Sequence, residues 1–290
     1  MTKKQDVSKV DIANYWETRP PQVWYSDKTP LTREWFNELA YKRYKLYYDF
    51  IPEAAEFAHH GGEKVLEVGV GIGTDLVQYA KHGARVSGID LTQNAVETTR
   101  RNFELNCLEY ETLQQGDAEK LDFPDNNFDL VFSNGVLHHT PNTDKAIGEI
   151  HRVLKPNGKA IVLLYARGWK HYVKRMFIHG VLCGELFRHG YDKTVSNQTE
   201  VHGGSPLTYL FKKREIIRMF SQFGEVDIQR YRLGEYFDYA PYLTKKVPAQ
   251  VLNIMHLLAL EKVLGEDFII KAEKKARKHR PSFWSTWLKP

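Results

Sequence analysis

Residues 65–75 read VLEVGVGIGTD. A short apolar strand runs into a turn with glycine at every second position and then into the start of a helix. Because glycine has no Cβ atom, Gly69 and Gly71 let a ligand approach the backbone, and the helix that follows presents unpaired N–H groups. Loops of this kind are common to nucleotide-binding folds, and a tight turn without a ligand is the simpler alternative. The spacing is GxGxG, and Thr74 fits the dinucleotide pattern GxGxxG less well than a small residue would.

Strand and helix signals alternate around this loop. Apolar runs predict strands at 64–68, 85–90, 110–115, 128–133, 160–165, 226–231 and 267–272. Helical spacing predicts helices at 74–82, 92–106, 143–154 and 211–223. Regular alternation of the two implies a parallel sheet with helices on both faces. The sequence therefore predicts an α/β fold with a doubly wound, seven-stranded, Rossmann-like core.

Residues 1–60 are rich in aromatic side chains and predict an N-terminal helical cap. Thr32 can start a helix that runs to about Phe50, because threonine is a favourable N-cap residue. Pro52 can open a second helix that ends at Gly61-Gly62.

Three further segments follow this cap. Residues 61–166 hold the glycine loop and most of the predicted strands, and form the cofactor-binding core. Residues 167–210 lack a strand period and predict an inserted helical lid that contributes to the substrate site. Residues 211–290 complete the core, with a helical insertion at 232–265 and a basic C-terminal tail.

Composition narrows the class of protein. The chain has 290 residues, of which 42% are hydrophobic, and its net charge of +5 is too modest to predict a nucleic-acid partner. Cys107 and Cys183 cannot form a disulfide framework and have no metal-ligand spacing, so we expect a reducing compartment and no bound metal. The longest apolar run, 160–166, is far shorter than the ~20 residues of a membrane span. With no signal peptide apparent in the first ten residues, the expected location is the cytoplasm.

Polar side chains follow several of the predicted strands at their carboxyl ends, where ligands bind in open α/β sheets. Asp90 ends the second strand, and its carboxylate can accept both ribose hydroxyls of NAD or of S-adenosylmethionine, or can cap the next helix. Asp117 follows the third strand. The fourth strand ends in Ser133 and Asn134, and two histidines follow in the turn.

Taken together, these segments resemble the class I methyltransferases, in particular the ubiquinone/menaquinone-biosynthesis-like group. That group typically shows VLEVGCGTG, GxD, GDAxxLPFPDxxFD, xLHHxxD and RVLKPGG. Here the corresponding segments are VLEVGVGIG, GID, GDAEKLDFPDNNFD, VLHHTPNTD and RVLKPNG, between Val65 and Gly158. The changes at Val70 and at Leu121-Asp122 remove no ligand-binding group.

The resemblance implies S-adenosylmethionine as the cofactor. It implies that Glu67, Gly69 and Gly71 surround the methionine part, and that Asp90 holds the ribose. The full set of expected cofactor-binding residues is Glu67, Gly69, Gly71, Gly73, Asp90, Leu91, Asp117, Ala118, Ser133 and Asn134, with Tyr15 and Arg43 from the N-terminal segment. The acidic members suit the fixed positive charge of a sulfonium.

A general base is required only if the methyl acceptor must lose a proton. His138 and His139 are the candidate catalytic residues, because imidazole titrates near ~6.5. Neighbouring side chains point in different directions, so we expect one of them, His139, to face the pocket. The alternative is that both histidines only pack and hydrogen-bond at the strand end.

The predicted function is methyl transfer to a small or amphiphilic molecule, by O- or C-methylation of a natural product, quinone or lipid-like acceptor. The alternatives are a nucleotide-dependent oxidoreductase and a non-catalytic cofactor-binding module. An RNA methyltransferase is disfavoured because the chain has no NPPY-like tetrapeptide. Residues 169–188 and 271–290 pair basic with aromatic side chains, which suits either peripheral contact with an anionic membrane or an ordinary solvated helix.

Overall fold

The computed structural model describes residues 7–168, 171–199, 204–231 and 265–276 of the chain. Seven strands form one sheet in the order β3-β2-β1-β4-β5-β7-β6. The strands are β1 Lys64–Val68, β2 Arg85–Asp90, β3 Thr112–Gln115, β4 Phe128–Asn134, β5 Leu154–Tyr165, β6 Glu225–Tyr231 and β7 Asp267–Glu273. Strands β1 to β5 pair in parallel, and β7 runs antiparallel to both of its neighbours.

Helices flank the sheet and cover its carboxyl edge. They are α1 Lys9–Thr18, α2 Arg33–Lys42, α3 Ile51–Ala54, α4 Thr74–Lys81, α5 Gln93–Asn106, α6 Thr143–Val153, α7 Glu185–Asn197 and α8 Lys213–Met219, with π-helical segments at Arg43–Tyr47 and His171–Leu182. The predicted seven-stranded α/β fold is therefore confirmed. No helix in the described ranges is long and apolar enough to cross a membrane.

The sheet differs from the prediction in two places. Strand β7 is not parallel to the others, since it pairs antiparallel with both β5 and β6. Strand β5 begins at Leu154 rather than at 160. Its pairing with β4 jumps from Phe128–Leu154 to Leu130–Lys159, so residues 155–158 form a bulge.

The N-terminal helices are shorter than predicted. Thr32 caps α2, but α2 ends at Lys42 and continues as a π-helical turn. The helix that contains Pro52 ends at Ala54, because Glu56 adopts a left-handed conformation at φ 59° and starts a 3₁₀ turn. The predicted helical insertion at 232–265 lies, apart from Gly265, outside the described residues.

Both faces of the sheet are apolar, as a doubly wound fold requires. Along β5, Ala160, Val162 and Leu164 belong to one hydrophobic cluster, whereas Ile161 and Leu163 belong to the other. The first cluster includes side chains of α6 and α8, and the second includes side chains of α4 and α5. Strand β5 therefore buries successive residues on opposite faces, which fixes its register.

The glycine loop lies between α2 and α5. Gly73 has φ 75°, and a Cβ atom there would lie 2.7 Å from Cγ2 of Thr99 on α5. Asn102 of α5 donates its Nδ2 to the carbonyl of Ile72 at 3.1 Å. On its outer side, Ile72 packs in a small cluster with Trp35, Phe36 and Leu39 of α2. The loop is thus held between two helices.

We expect Gly73→Ala to destabilise the fold more than Gly83→Ala. Both glycines have positive φ, at 75° and 84°, so both substitutions introduce backbone strain of about 1–2 kcal/mol. Nothing lies within 4 Å of a Cβ atom at Gly83, whereas Gly73 also meets Thr99. Overpacking against Thr99 should lower the free energy of unfolding of Gly73→Ala by about 1–3 kcal/mol more. Urea unfolding of the two variants measures the difference, and equal losses would mean that contact with α5 does not fix the loop.

Candidate active site

A cavity of about 460 Å³ opens at the carboxyl edge of the sheet. The glycine loop and the ends of β1 to β5 line it from below. Residues of α1 and of the segment 175–199 line it from above. Its position is the one expected for a ligand in a doubly wound fold. Nine of the twelve expected cofactor residues lie in its wall: Arg43, Glu67, Gly69, Gly71, Asp90, Leu91, Asp117, Ala118 and Asn134.

A buried ion pair lies under the glycine loop. Arg43 contacts Asp75 through two parallel bonds, Nε to Oδ1 at 2.9 Å and Nη2 to Oδ2 at 2.5 Å. Tyr44 donates its hydroxyl to Oδ1 at 2.6 Å, and Asn134 donates Nδ2 to Oδ2 at 3.1 Å. Burial by itself lowers the pKa of Arg43, but the negative charge of Asp75 outweighs it and raises that pKa above its ordinary value.

Glu67, at the end of β1, is a buried carboxyl group beside this pair. Its exposed fraction is 2%. One of its oxygens, Oε2, has no hydrogen-bond partner among the described residues. Burial raises its pKa well above the usual range, and the nearby charge of Asp75 raises it further, against the effect of Arg43. Arg43 already makes two hydrogen bonds to Asp75. The cluster of Glu67 and Asp75 can therefore accept an additional positive charge from a ligand.

Asp90, at the end of β2, connects two backbone segments of the site. Its Oδ2 accepts the amide of Gly71 at 3.0 Å, and its Oδ1 accepts the amide and hydroxyl of Thr92 at 3.0 and 2.9 Å. Burial raises the pKa of Asp90, and these hydrogen bonds counteract part of that effect. Each carboxylate oxygen has two lone pairs, so Asp90 keeps acceptor capacity toward the cavity.

Helix α1 closes the side of the cavity near β3. Lys9 contacts Asp117 at 2.5 Å and Glu119 at 2.9 Å. Burial lowers the pKa of Lys9, but the bonds to both carboxylates outweigh it and raise the pKa. Farther along α1, the Trp16 ring lies against the His139 ring with centroids 5.1 Å apart.

The protonation of His139 can be inferred from its partner. Nδ1 lies 2.7 Å from the carbonyl oxygen of Leu207, which can only accept a hydrogen bond. In the neutral ring Nδ1 therefore carries the proton, and Nε2 is the basic nitrogen. His139 is 5% exposed and lies in the cavity wall.

Comparison with known proteins assigns the central part of the chain to a family. Residues 66–162 match the family described as methyltransferase domain. The chain contains a class I S-adenosylmethionine-dependent methyltransferase domain. Its match to a demethylmenaquinone methyltransferase of Symbiobacterium thermophilum is 32% identical over 118 residues and covers 39% of this chain and 47% of that protein. The resemblance to the quinone-biosynthesis-like group is thus confirmed.

Two further similarities place the methyltransferase domain among known proteins. A phosphoethanolamine N-methyltransferase of Caenorhabditis elegans is 37% identical over 111 residues, which cover 37% of this chain and 25% of that protein. The crystal structure of magnesium protoporphyrin IX methyltransferase from Synechocystis PCC 6803, with bound S-adenosylhomocysteine, has a TM-score of 0.56 at 14% identity and covers 92% of this chain and 100% of that chain. The chain spans less than two thirds of the length of the curated relatives that it matches.

Four expected residues do not line the cavity of the methyltransferase domain. Gly73 faces Thr99, and Ser133 is fully buried and donates its hydroxyl to the carbonyl of Val68 at 2.9 Å. Tyr15 donates its hydroxyl to the carbonyl of Gly204. His138 is fully buried and stacks on Tyr165 with ring centroids 3.7 Å apart. Direct contact with a ligand is therefore not expected of these four.

Trp16, which the N-terminal segment offered as a plausible cofactor or acceptor contact, lies in the wall. Other wall residues were not singled out as site residues from the sequence, among them Lys9, Tyr165, Arg175 and Glu266. Tyr165 ends β5, and its position at a strand end could have identified it. Glu266 precedes β7, and it reaches the same edge of the sheet only because β7 is antiparallel. Lys9 belongs to a segment without a motif, so the sequence held no signal for it. For Arg175 the only signal was its place in the predicted lid at 167–210.

Proposed function

We propose that this protein transfers the methyl group of S-adenosylmethionine to a small or amphiphilic acceptor. The observation that carries the proposal is Glu67: a buried carboxyl group with one unpartnered oxygen, beside Asp75 and next to a glycine loop. A cationic amino-acid group is the ligand chemistry that such a site favours. S-adenosylmethionine has an ammonium group, ribose hydroxyls and an adenine, and the cavity has a matching residue for each.

In this proposal, different residues of the chain bind different parts of the ligand. Glu67 and the amides of the glycine loop hold the methionine part, and Asp90 and Leu91 hold the ribose. Asp117 and Ala118 contact the adenine. When bound, S-adenosylmethionine supplies a methyl group on a sulfonium carbon that is already activated toward a nucleophile. The protein then has to align the acceptor and exclude water, which are the main contributions to such transfers.

The acceptor end of the cavity has aromatic walls. Trp16, His139 and Tyr165 line it together with Leu210, and Arg175 and Glu266 contribute charge. Aromatic and apolar walls with few charged groups suit an amphiphilic acceptor. Since segment 167–210 supplies Arg175 and residues 197–199 to this wall, we propose it as the acceptor lid, and residues 1–60 as the cap.

His139 is the proposed general base for an acceptor that must lose a proton. Its Nδ1–H donates to the carbonyl of Leu207, which fixes the ring and makes Nε2 the proton acceptor. His138 is a packing residue in this proposal, because its ring is buried against Tyr165.

Asp90→Ala should weaken the binding of S-adenosylhomocysteine at least tenfold. The substitution removes an acceptor for the ribose hydroxyls and releases the amide of Gly71, and each unpaired polar group costs about 1–3 kcal/mol. Isothermal titration calorimetry measures the affinity, with NAD as a second ligand. The control is Asp122→Ala, which removes an exposed carboxylate outside the cavity wall. Wild-type protein that binds NAD and not S-adenosylhomocysteine would instead support an oxidoreductase.

His139→Ala should slow transfer to an oxygen acceptor by about 10²–10⁴-fold and leave cofactor affinity unchanged, because only proton removal is lost. Acceptors are found by incubating the protein with metabolite extracts and S-adenosylmethionine labelled in its methyl group. Single-turnover rates are then compared for wild type, His139→Ala and His138→Ala. An unchanged rate in His139→Ala with an oxygen acceptor would contradict the role of a base. If no extract component is labelled, although S-adenosylhomocysteine binds, the non-catalytic module is favoured.

A further inference from the structure

The π-helical segment His171–Leu182, called the lid helix here, has one buried face, from which Arg175 reaches the cavity wall. His171, Arg175 and Gly180 are buried and stand four or five residues apart, as one face of such a helix requires. Arg175 lies in the cavity wall and donates its Nε to the carbonyl of Gln198 at 3.1 Å. The lid helix therefore forms part of the proposed acceptor site.

The opposite side of the lid helix is apolar and exposed. We define the lid face as Tyr172, Phe177, Ile178, Val181 and Leu182, with Phe187 on the adjoining helix α7. Their exposed fractions are 50%, 56%, 38%, 44%, 67% and 79%. Of the thirteen exposed large apolar residues in the described part of the chain, these six lie within sixteen positions. Scattered exposed apolar residues are ordinary, but a concentration of this kind marks an interaction surface.

The exposed charged residues of the adjoining helix α7, which kinks at Gly190, are positive. On α7, Arg188 and Lys193 are exposed, whereas Glu185 and Asp192 are partly buried. Glu185 accepts a hydrogen bond from Gln198 at 2.7 Å, so its charge is directed toward the lid's interior. A second copy of this chain would bring like charges together. A surface of anionic headgroups over an apolar layer complements both features of the lid face.

We propose that the lid face docks on an anionic lipid surface. Its apolar side chains enter the boundary between headgroups and acyl chains, and Arg188 and Lys193 contact the headgroups. This inference rests on the proposed function, which gives the docking a role. Docking places the lid helix, with Arg175 on its inner face, between the cavity and a membrane. Docking thereby holds the cavity close to the lipid that contains an amphiphilic acceptor.

Sedimentation of the full chain with lipid vesicles tests the docking without cofactor or acceptor. The vesicles contain phosphatidylcholine alone, or phosphatidylcholine mixed with an equal amount of phosphatidylglycerol. We expect the wild type to sediment with the mixed vesicles and not with the neutral ones. The triple variant Phe177→Ser, Leu182→Ser, Phe187→Ser should bind at least tenfold more weakly, and Arg188→Glu with Lys193→Glu should also lose binding.

The matched control is Val10→Ser, Leu46→Ser, Ile217→Ser. These residues are 66%, 58% and 53% exposed and lie outside the lid face and the cavity wall, so the control should bind vesicles like the wild type. Equal binding by the lid-face and control variants would overturn the proposal. So would a wild type that fails to bind vesicles and is a dimer in sedimentation equilibrium, with the lid-face variant a monomer, since the face would then belong to a second copy.

Thermal shift with S-adenosylhomocysteine, measured on the same samples, separates the two proposals. An unchanged shift in the lid-face variant shows that it is folded and that its cofactor site is intact. A wild type that binds S-adenosylhomocysteine and no vesicles overturns only the docking. A wild type that binds vesicles and no S-adenosylhomocysteine overturns only the proposed function.

Discussion

The buried pair of Arg43 and Asp75 is the interaction on which the site depends. Asp75 lies in the first turn of α4, after the glycine loop, Arg43 begins the π-helical segment that follows α2, and Asn134 from the end of β4 joins the same carboxylate. Three parts of the chain that are distant in sequence therefore meet at one charge. Removing one partner of such a pair leaves a buried charge at a cost of about 3–5 kcal/mol, which ties the geometry of the cavity to the N-terminal segment.

The same pair determines the electrostatics of the cavity. The guanidinium of Arg43 is directed at Asp75, so it compensates Glu67 only in part, and burial keeps the pKa of Glu67 raised. In the proposed function, the ammonium group of the ligand balances this acid. Ligand binding then neutralises Glu67, and the glycine loop sets the distance between Glu67 and the ammonium group.

Much of this arrangement could be predicted from the sequence, because it is local. The strands follow from apolar runs, the glycine loop from its spacing, and Asp90 and Asp117 from their positions after strands. The Arg43–Asp75 contact could not be predicted, because it joins residues separated by a loop and two helical turns whose ends depend on tertiary packing. The bulge in β5 could not be predicted either, because it is evident only from the pairing of β5 with β4. Arg175 and Glu266 reach the cavity through the inserted segment and an antiparallel strand, and neither has a motif.

The central claim is that Glu67 receives the positive charge of the ligand. Titration calorimetry with S-adenosylhomocysteine, repeated in buffers of different ionisation enthalpy, counts the protons exchanged on binding. Burial raises the pKa of Glu67 in the free protein, and the ligand's ammonium should lower it, so binding should release up to about one proton and the affinity should rise with pH. Glu67→Gln should abolish the release. Tight binding with no proton release, or the same release in Glu67→Gln, would contradict the claim.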